Sequence, residues 1–100
     1  DEKRKVQGTE KAMMVPGKEI AVVGGDNYTL FMSTRFRQNG VGKDQLRILH
    51  EQYEDNKTNS TRTLTSTERD GVIYVYVLRE NDLKVWKIDG KDNVSHDRTF

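Results

Sequence analysis

Cysteine is missing from this 100-residue chain, which excludes disulfides, thiol chemistry and cysteine-ligated zinc. Long apolar runs are missing as well: nothing approaches the roughly 20 residues that a membrane-spanning helix needs. Neither sign of charge dominates, because 17 basic and 16 acidic side chains leave a net +1. No broad field therefore draws in nucleic acid or an anionic membrane. Apolar residues are scarce for a globular chain, 33% against 33% charged, so one domain with a thin core is expected. The only histidines are His50 and His96, and no His-Glu-x-x-His pattern surrounds them. Gly40-Val41-Gly42-Lys43 lacks the spacing of a phosphate loop, and no serine sits in a nucleophile elbow. A basic-aromatic-basic triplet, Arg35-Phe36-Arg37, arises wherever an exposed and a buried face alternate. The expectation is a chain with no catalytic residues, no metal, no cofactor and no nucleic-acid partner.

What the chain does have is β-pattern. Val72-Ile73-Tyr74-Val75-Tyr76-Val77-Leu78 follows an Asp70-Gly71 turn, and Leu83-Lys84-Val85-Trp86-Lys87-Ile88 follows a short polar gap. Together they give the strongest hairpin signal in the sequence. Val72, Tyr74, Tyr76 and Leu78 share one parity, Ile73, Val75 and Val77 the other. A strand apolar on both faces belongs at the centre of a closed or sandwiched sheet.

Upstream, Val6–Val15 reads as a first strand stopped by Pro16-Gly17, and Lys18–Val23 as a second closed by Gly24-Gly25-Asp26-Asn27. In the third, Tyr28, Leu30, Met32, Thr34 and Phe36 alternate with Thr29, Ser33, Arg35 and Arg37, and only Phe31 breaks the period. Asp44 to Asn56 has two readings. Leu46, Leu49 and Tyr53 are spaced as a helical stripe behind an Asp44 N-cap, which locally favours a helix; as a strand, Leu46, Ile48 and His50 share a face. Thr61–Thr67 is a threonine-rich strand with an exposed face. Asp89-Gly90 turns the chain again, and Asn93–Phe100 supplies a closing strand. Residues 1–7, led by Asp1-Glu2-Lys3-Arg4-Lys5, are expected to be a disordered charged terminus, and residues 8–100 the domain.

Four glycosylation acceptor patterns start at Asn27, Asn56, Asn59 and Asn93. Six asparagines and 13 Ser plus Thr predict about one by chance. The excess favours a secreted glycoprotein over a cytoplasmic protein. No signal peptide is recognisable, and a start at Asp1 without methionine fits processing ahead of it.

The order of these pieces resembles the calycin superfamily, the lipocalins and intracellular fatty-acid-binding proteins. Gly8-Thr9-Glu10-Lys11 stands where that superfamily has Gly-x-Trp, with glutamate replacing the tryptophan. Gly25–Leu30 with Ser33–Arg37 is similar to the turn, strand and S-x-F-R/K run of fatty-acid-binding proteins, and Tyr53-Glu54-Asp55-Asn56 to their F-D-E-T strand end. Arg69-Asp70-Gly71, Leu78-Arg79-Glu80 and Asp97-Arg98-Thr99-Phe100 match W-D-G, V-R-E-L and T-R-T-Y/F in order. Phe36-Arg37-Gln38-Asn39-Gly40 resembles the lipocalin R-x-N-G run without its cysteine. The resemblance implies an all-β, antiparallel meander barrel without the two lid helices that fatty-acid-binding proteins insert near Val15–Lys18, and it turns the 44–56 segment towards strand. It implies transport of a small hydrophobic ligand such as a fatty acid or other lipid. The lining would be Tyr28, Leu30, Met32, Phe36, Tyr74, Tyr76 and Trp86, and Arg79 and Arg98 would hold a carboxylate beside Phe100. The alternative fold is α+β, a sheet packed on one helix at 44–56. The alternative function is a secreted β-rich protein-interaction or inhibitor module with a packed core and no ligand cavity.

Overall fold

The computed structural model describes residues 10–38, 44–54 and 59–100, with backbone alone at 36–38 and 44–46. The expected disorder of residues 1–7 falls outside the described residues. Within them the chain is all-β, with strands β1 (Lys11–Met14), β2 (Ile20–Gly24), β3 (Tyr28–Gln38), β4 (Asp44–Tyr53), β5 (Thr61–Arg69), β6 (Val72–Arg79), β7 (Leu83–Ile88) and β8 (Val94–Thr99). They form two antiparallel four-stranded sheets in chain order, β1-β2-β3-β4 and β5-β6-β7-β8. Among the described residues no strand ladder joins β4 to β5 or β8 to β1.

Turn chemistry sets the registers. Pro16 and Gly17 occupy the middle of a turn in which the Lys18 amide donates to the Val15 carbonyl, with Gly17 at φ 78°. Proline at the second position and a left-handed glycine at the third are what a type II turn requires. Asp70 and Gly71 both have positive φ, 54° and 82°, and Arg69 pairs with Val72 across them. This is the two-residue I′ connection whose twist matches its flanking strands. After β7 the Asp89 amide donates to the Asn93 carbonyl and Asp92 takes φ 66°, the left-handed residue that closes a three-residue hairpin loop.

The 44–56 segment is where the local helical reading fails. Asp44–Tyr53 is strand β4, paired with β3 from Tyr28↔Tyr53 to Gln38↔Asp44. Phe31 pairs with His50 but Met32 with Ile48, so Leu49 is an extra residue, a bulge. That insertion interrupts the strand period and leaves Leu46, Leu49 and Tyr53 spaced as on a helix. The α+β alternative is thereby corrected.

The inner faces carry one core: Val15, Ile20, Val22 and Phe31 from the first sheet, and Ile73, Val75, Val77, Trp86 and Ile88 from the second. Met13, Leu49, Leu64 and Val94 pack against it. Each such side chain stabilises the fold by about 1.5–3 kcal/mol on full burial. Two corners tie the sheets. At one, the Thr61 hydroxyl donates to the Gly25 carbonyl at 3.0 Å and the Thr61 amide to the same oxygen at 3.1 Å. A Cβ on Gly24 would lie 2.5 Å from the Thr61 Oγ1, so the close approach depends on glycine. At the other, Lys18 Nζ reaches the Asp89 carbonyl at 3.2 Å and Asp92 Oδ1 at 2.8 Å.

Candidate functional site

Strand parity decides which of the expected lining residues face the interior, since residues directly opposite on neighbouring strands share a face. On β3 the inward residues include Thr29 and Phe31, the latter paired with buried Val22 and with His50. Tyr28, Leu30 and Met32 lie on the opposite face and are half-buried, and the Tyr28 hydroxyl donates to the Glu10 carboxylate. On β6 the inward residues are Ile73, Val75, Val77 and Arg79, so Tyr74 and Tyr76 point outwards. Arg69 lies 5.0 Å from the Tyr74 ring centre on that outer face. The expectation that Tyr28, Leu30, Met32, Tyr74 and Tyr76 line the interior is therefore corrected: the buried parity of these strands is taken by Phe31, Ile73, Val75 and Val77, and the tyrosines lie half-buried on the other face. Trp86 does lie inside, 1% exposed. The side chain of Phe36 lies outside the described residues.

Arg79 and Arg98 are not brought together. Arg98 is exposed on β8, beside Asp97 at 3.2 Å and 5.9 Å from the ring centre of Phe100, which is itself 68% exposed. Arg79 is inward and 5% exposed, and its guanidinium is already spoken for. Nε and Nη2 donate to the two Asp82 oxygens at 2.7 and 2.8 Å, and Nη1 donates to Glu54 Oε2 at 2.7 Å. Asp82 is three residues on, across a two-residue turn, so the fork closes the β6–β7 hairpin and also ties it to the end of β4. Lys84 Nζ stands 3.5 Å from the same Glu54 oxygen. Two cations and two carboxylates balance, and the hydrogen bond from Arg79 holds the Asp82 carboxyl below its ordinary range. A buried guanidinium needs a partner; this one has two from its own chain, which removes the electrostatic reason for an anionic guest there.

A second cluster lies between the sheets and was not foreseen. Trp86 stands edge-on to Phe31, with ring centres 5.4 Å apart, and 5.1 Å from the His50 ring; Phe31 and His50 are 6.3 Å apart. His96, the β8 partner of Trp86, meets its ring at 5.3 Å. The indole Nε1 of Trp86 and the Nε2 of His50 are both buried and have no hydrogen-bond partner among the described residues. Burying such a group unpaired costs about 1–3 kcal/mol. A lone tryptophan and two histidines are visible in the sequence, but their meeting depends on the β4 bulge and the stacking of two sheets, which no local pattern reports.

Of the acceptor asparagines, Asn27 and Asn93 are exposed. Asn59 is 8% exposed, with Oδ1 accepting from the Asn81 amide at 3.0 Å and Nδ2 donating to Asp82 at 3.5 Å; a glycan on that nitrogen is incompatible with this packing. Asn56 lies outside the described residues. No family model, curated protein or solved structure matches the chain.

Proposed function

We propose that this protein binds a small hydrophobic ligand between its two sheets, without chemistry, and that the Trp86–His50–Phe31 cluster is where the ligand docks. The observation that carries the reading is the pair of buried, unpartnered nitrogens, Trp86 Nε1 and His50 Nε2, set among ring faces. Ligand pockets are mostly apolar with a few convergent polar groups that fix orientation, and this cluster has that composition. In the calycin-type form of the proposal the two sheets are halves of one barrel wall. The meander order within each four-stranded sheet and the start of β5 beside Gly25 support that form. In this form Arg79 and Arg98 hold no ligand carboxylate, since Arg79 is engaged by Asp82 and Glu54 and Arg98 is exposed beside Asp97.

Trp86 is the only tryptophan, so its emission reports the site directly. Titration with 1-anilinonaphthalene-8-sulfonate is expected to quench Trp86 saturably at one dye per chain by energy transfer, with competition by a fluorescent fatty acid. Linear, non-saturating quenching with both probes would refute the proposal. A protein-interaction role has one observation in its favour: Leu78, 42% exposed, pairs with Leu83, which exchanges two backbone hydrogen bonds with exposed Phe100. This apolar row crosses the outer face of the second sheet. Loss of partner capture in Leu78→Asp, with dye binding intact, would favour that role.

A further inference from the structure

We infer that Asn93 is an N-glycan attachment site, taking an oligosaccharide on its side-chain nitrogen in the loop between β7 and β8. Ligand binding leaves unexplained the four acceptor patterns of the chain, where about one is expected by chance.

Such a pattern is read through two residues, the asparagine that takes the sugar and the Ser or Thr two positions on. Folding treats the pairs differently. Asn59 and Thr61 are 8% and 2% exposed; Asn81 and Asp82 hold both ends of the Asn59 amide, and the Thr61 hydroxyl donates to the Gly25 carbonyl. A sugar placed on Asn59 before folding would keep that chain from packing. Asn27 is exposed, but its Nδ2 donates to the Glu54 carbonyl at 3.2 Å, and its hydroxyl partner, Thr29, is 2% exposed on the inner face of β3. Asn93 and Ser95 are both exposed. Strand alternation is the reason: Val94 pairs with Ile88 and packs against the core, so its two neighbours turn away from it. Among the described residues this is the one acceptor pattern open at both positions.

Local geometry leaves the nitrogen available. The Asn93 backbone N–H donates to Asp89 Oδ1 at 2.9 Å and its carbonyl accepts from the Asp89 amide at 3.1 Å, so the backbone holds this loop without the side chain. Nδ2 donates to Asp89 Oδ2 at 3.2 Å, which engages one of its two hydrogens and leaves the other to be replaced. In the transfer, the bond from the anomeric carbon to the pyrophosphate oxygen of a lipid-linked oligosaccharide breaks and the bond from Nδ2 to that carbon forms. Nδ2 gives up one proton, and the lipid pyrophosphate leaves. A bulky hydrated sugar belongs on a surface loop, and here it extends into water.

The test uses the full folded chain, purified from bacteria, with a eukaryotic oligosaccharyltransferase and a dolichol-linked oligosaccharide. Peptides spanning 24–32, 57–64 and 90–98 serve as unfolded references. Sites are read by enzymatic release in heavy-oxygen water and peptide mass spectrometry. All three peptides are expected to accept sugar, and the folded chain to accept it at Asn93 but not at Asn27 or Asn59. Ser95→Ala, an exposed change that leaves the Asn93 amide in place, is expected to abolish the product at Asn93, and Ser95→Thr to keep it. The chain secreted from an insect cell line is expected to carry sugar on Asn93. A folded chain that refuses sugar at Asn93 while the 90–98 peptide accepts it would overturn the assignment, as would refusal of that peptide or a secreted chain bare at Asn93. Acceptance by the folded chain at Asn27 or Asn59, or a product at Asn93 that survives Ser95→Ala, would overturn the two-residue exposure criterion and the assignment with it.

Discussion

Replacing Arg79 by methionine separates a structural arginine from one reserved for a guest. The side chain is 5% exposed and makes three short hydrogen bonds, to both Asp82 oxygens and to Glu54. Methionine fills similar volume but leaves two carboxylates facing each other. Removing one partner of a buried ion pair costs about 3–5 kcal/mol. The Asp82 and Glu54 side chains keep 22% and 27% exposure, so water compensates them in part, and Lys84 remains beside Glu54; the low end, about 3 kcal/mol, is expected. For a domain of this size that corresponds to a fall in melting temperature of roughly 12–24 °C. The assay is thermal and urea unfolding at pH 7, with Arg98→Met as the exposed control, expected to change stability by less than about 0.5 kcal/mol. Acid sharpens the test. The Arg79 hydrogen bond lowers the Asp82 pKa in the folded state, so its stabilisation is complete above the unfolded carboxylate pKa and disappears as pH falls through the lower folded value. The gap between the two proteins therefore narrows on acidification. An Arg79→Met protein as stable as the parent at neutral pH, or a gap independent of pH, would refute the structural assignment and return Arg79 to the list of ligand-binding groups.

Other expectations follow from the same packing. Trp86→Phe removes an unpaired buried N–H and is expected to change stability by less than about 1 kcal/mol, whereas Trp86→Ala opens a cavity and costs about 3–5 kcal/mol; chemical denaturation measures both. Gly24→Ala drives a methyl group towards the Thr61 side chain and is expected to cost about 1–3 kcal/mol, partly relieved in Thr61→Ser, which lacks the crowding methyl. The Asp89 carboxylate accepts hydrogen bonds from Asn93 and Lys91, which hold its pKa below the usual range. A carbon-detected NMR titration should find it still ionised below the usual carboxylate range, and Asp89→Ala should lose that hairpin contribution above the carboxylate range but not below the folded Asp89 pKa. Gly71→Ala, at φ 82°, is expected to cost about 1–2 kcal/mol and to loosen the β5–β6 hairpin.

The all-β class and most turns could be read from the chain because Pro16-Gly17, Asp70-Gly71 and Asp89-Gly90 carry their conformations locally. The inner face could not. In β6 both parities are apolar, and alternation identifies two faces without saying which one meets the other sheet. On β6 the tyrosines lie on the outer parity and Ile73, Val75 and Val77 on the inner one, so side-chain size does not mark the inner face. In β3 the apparent exception, Phe31, is the residue that matters, since its partner Val22 is fully buried. In β4 the extra Leu49 erased the strand period altogether. The Arg79–Asp82 fork is hinted at by their spacing across a short turn, but Glu54 arrives from 25 residues away. The Trp86–His50 contact spans two sheets and leaves no local trace.

Trp86 gives the protein a single indole N–H resonance in a ¹⁵N-correlated NMR spectrum, and following it while adding 1-anilinonaphthalene-8-sulfonate tests the interior site most directly. The account predicts a saturable shift of that one peak, with shifts at Phe31 and His50 following the same curve. An indole resonance that stays in place at saturating dye, while amides of outer-face residues such as Leu78 move, would contradict it.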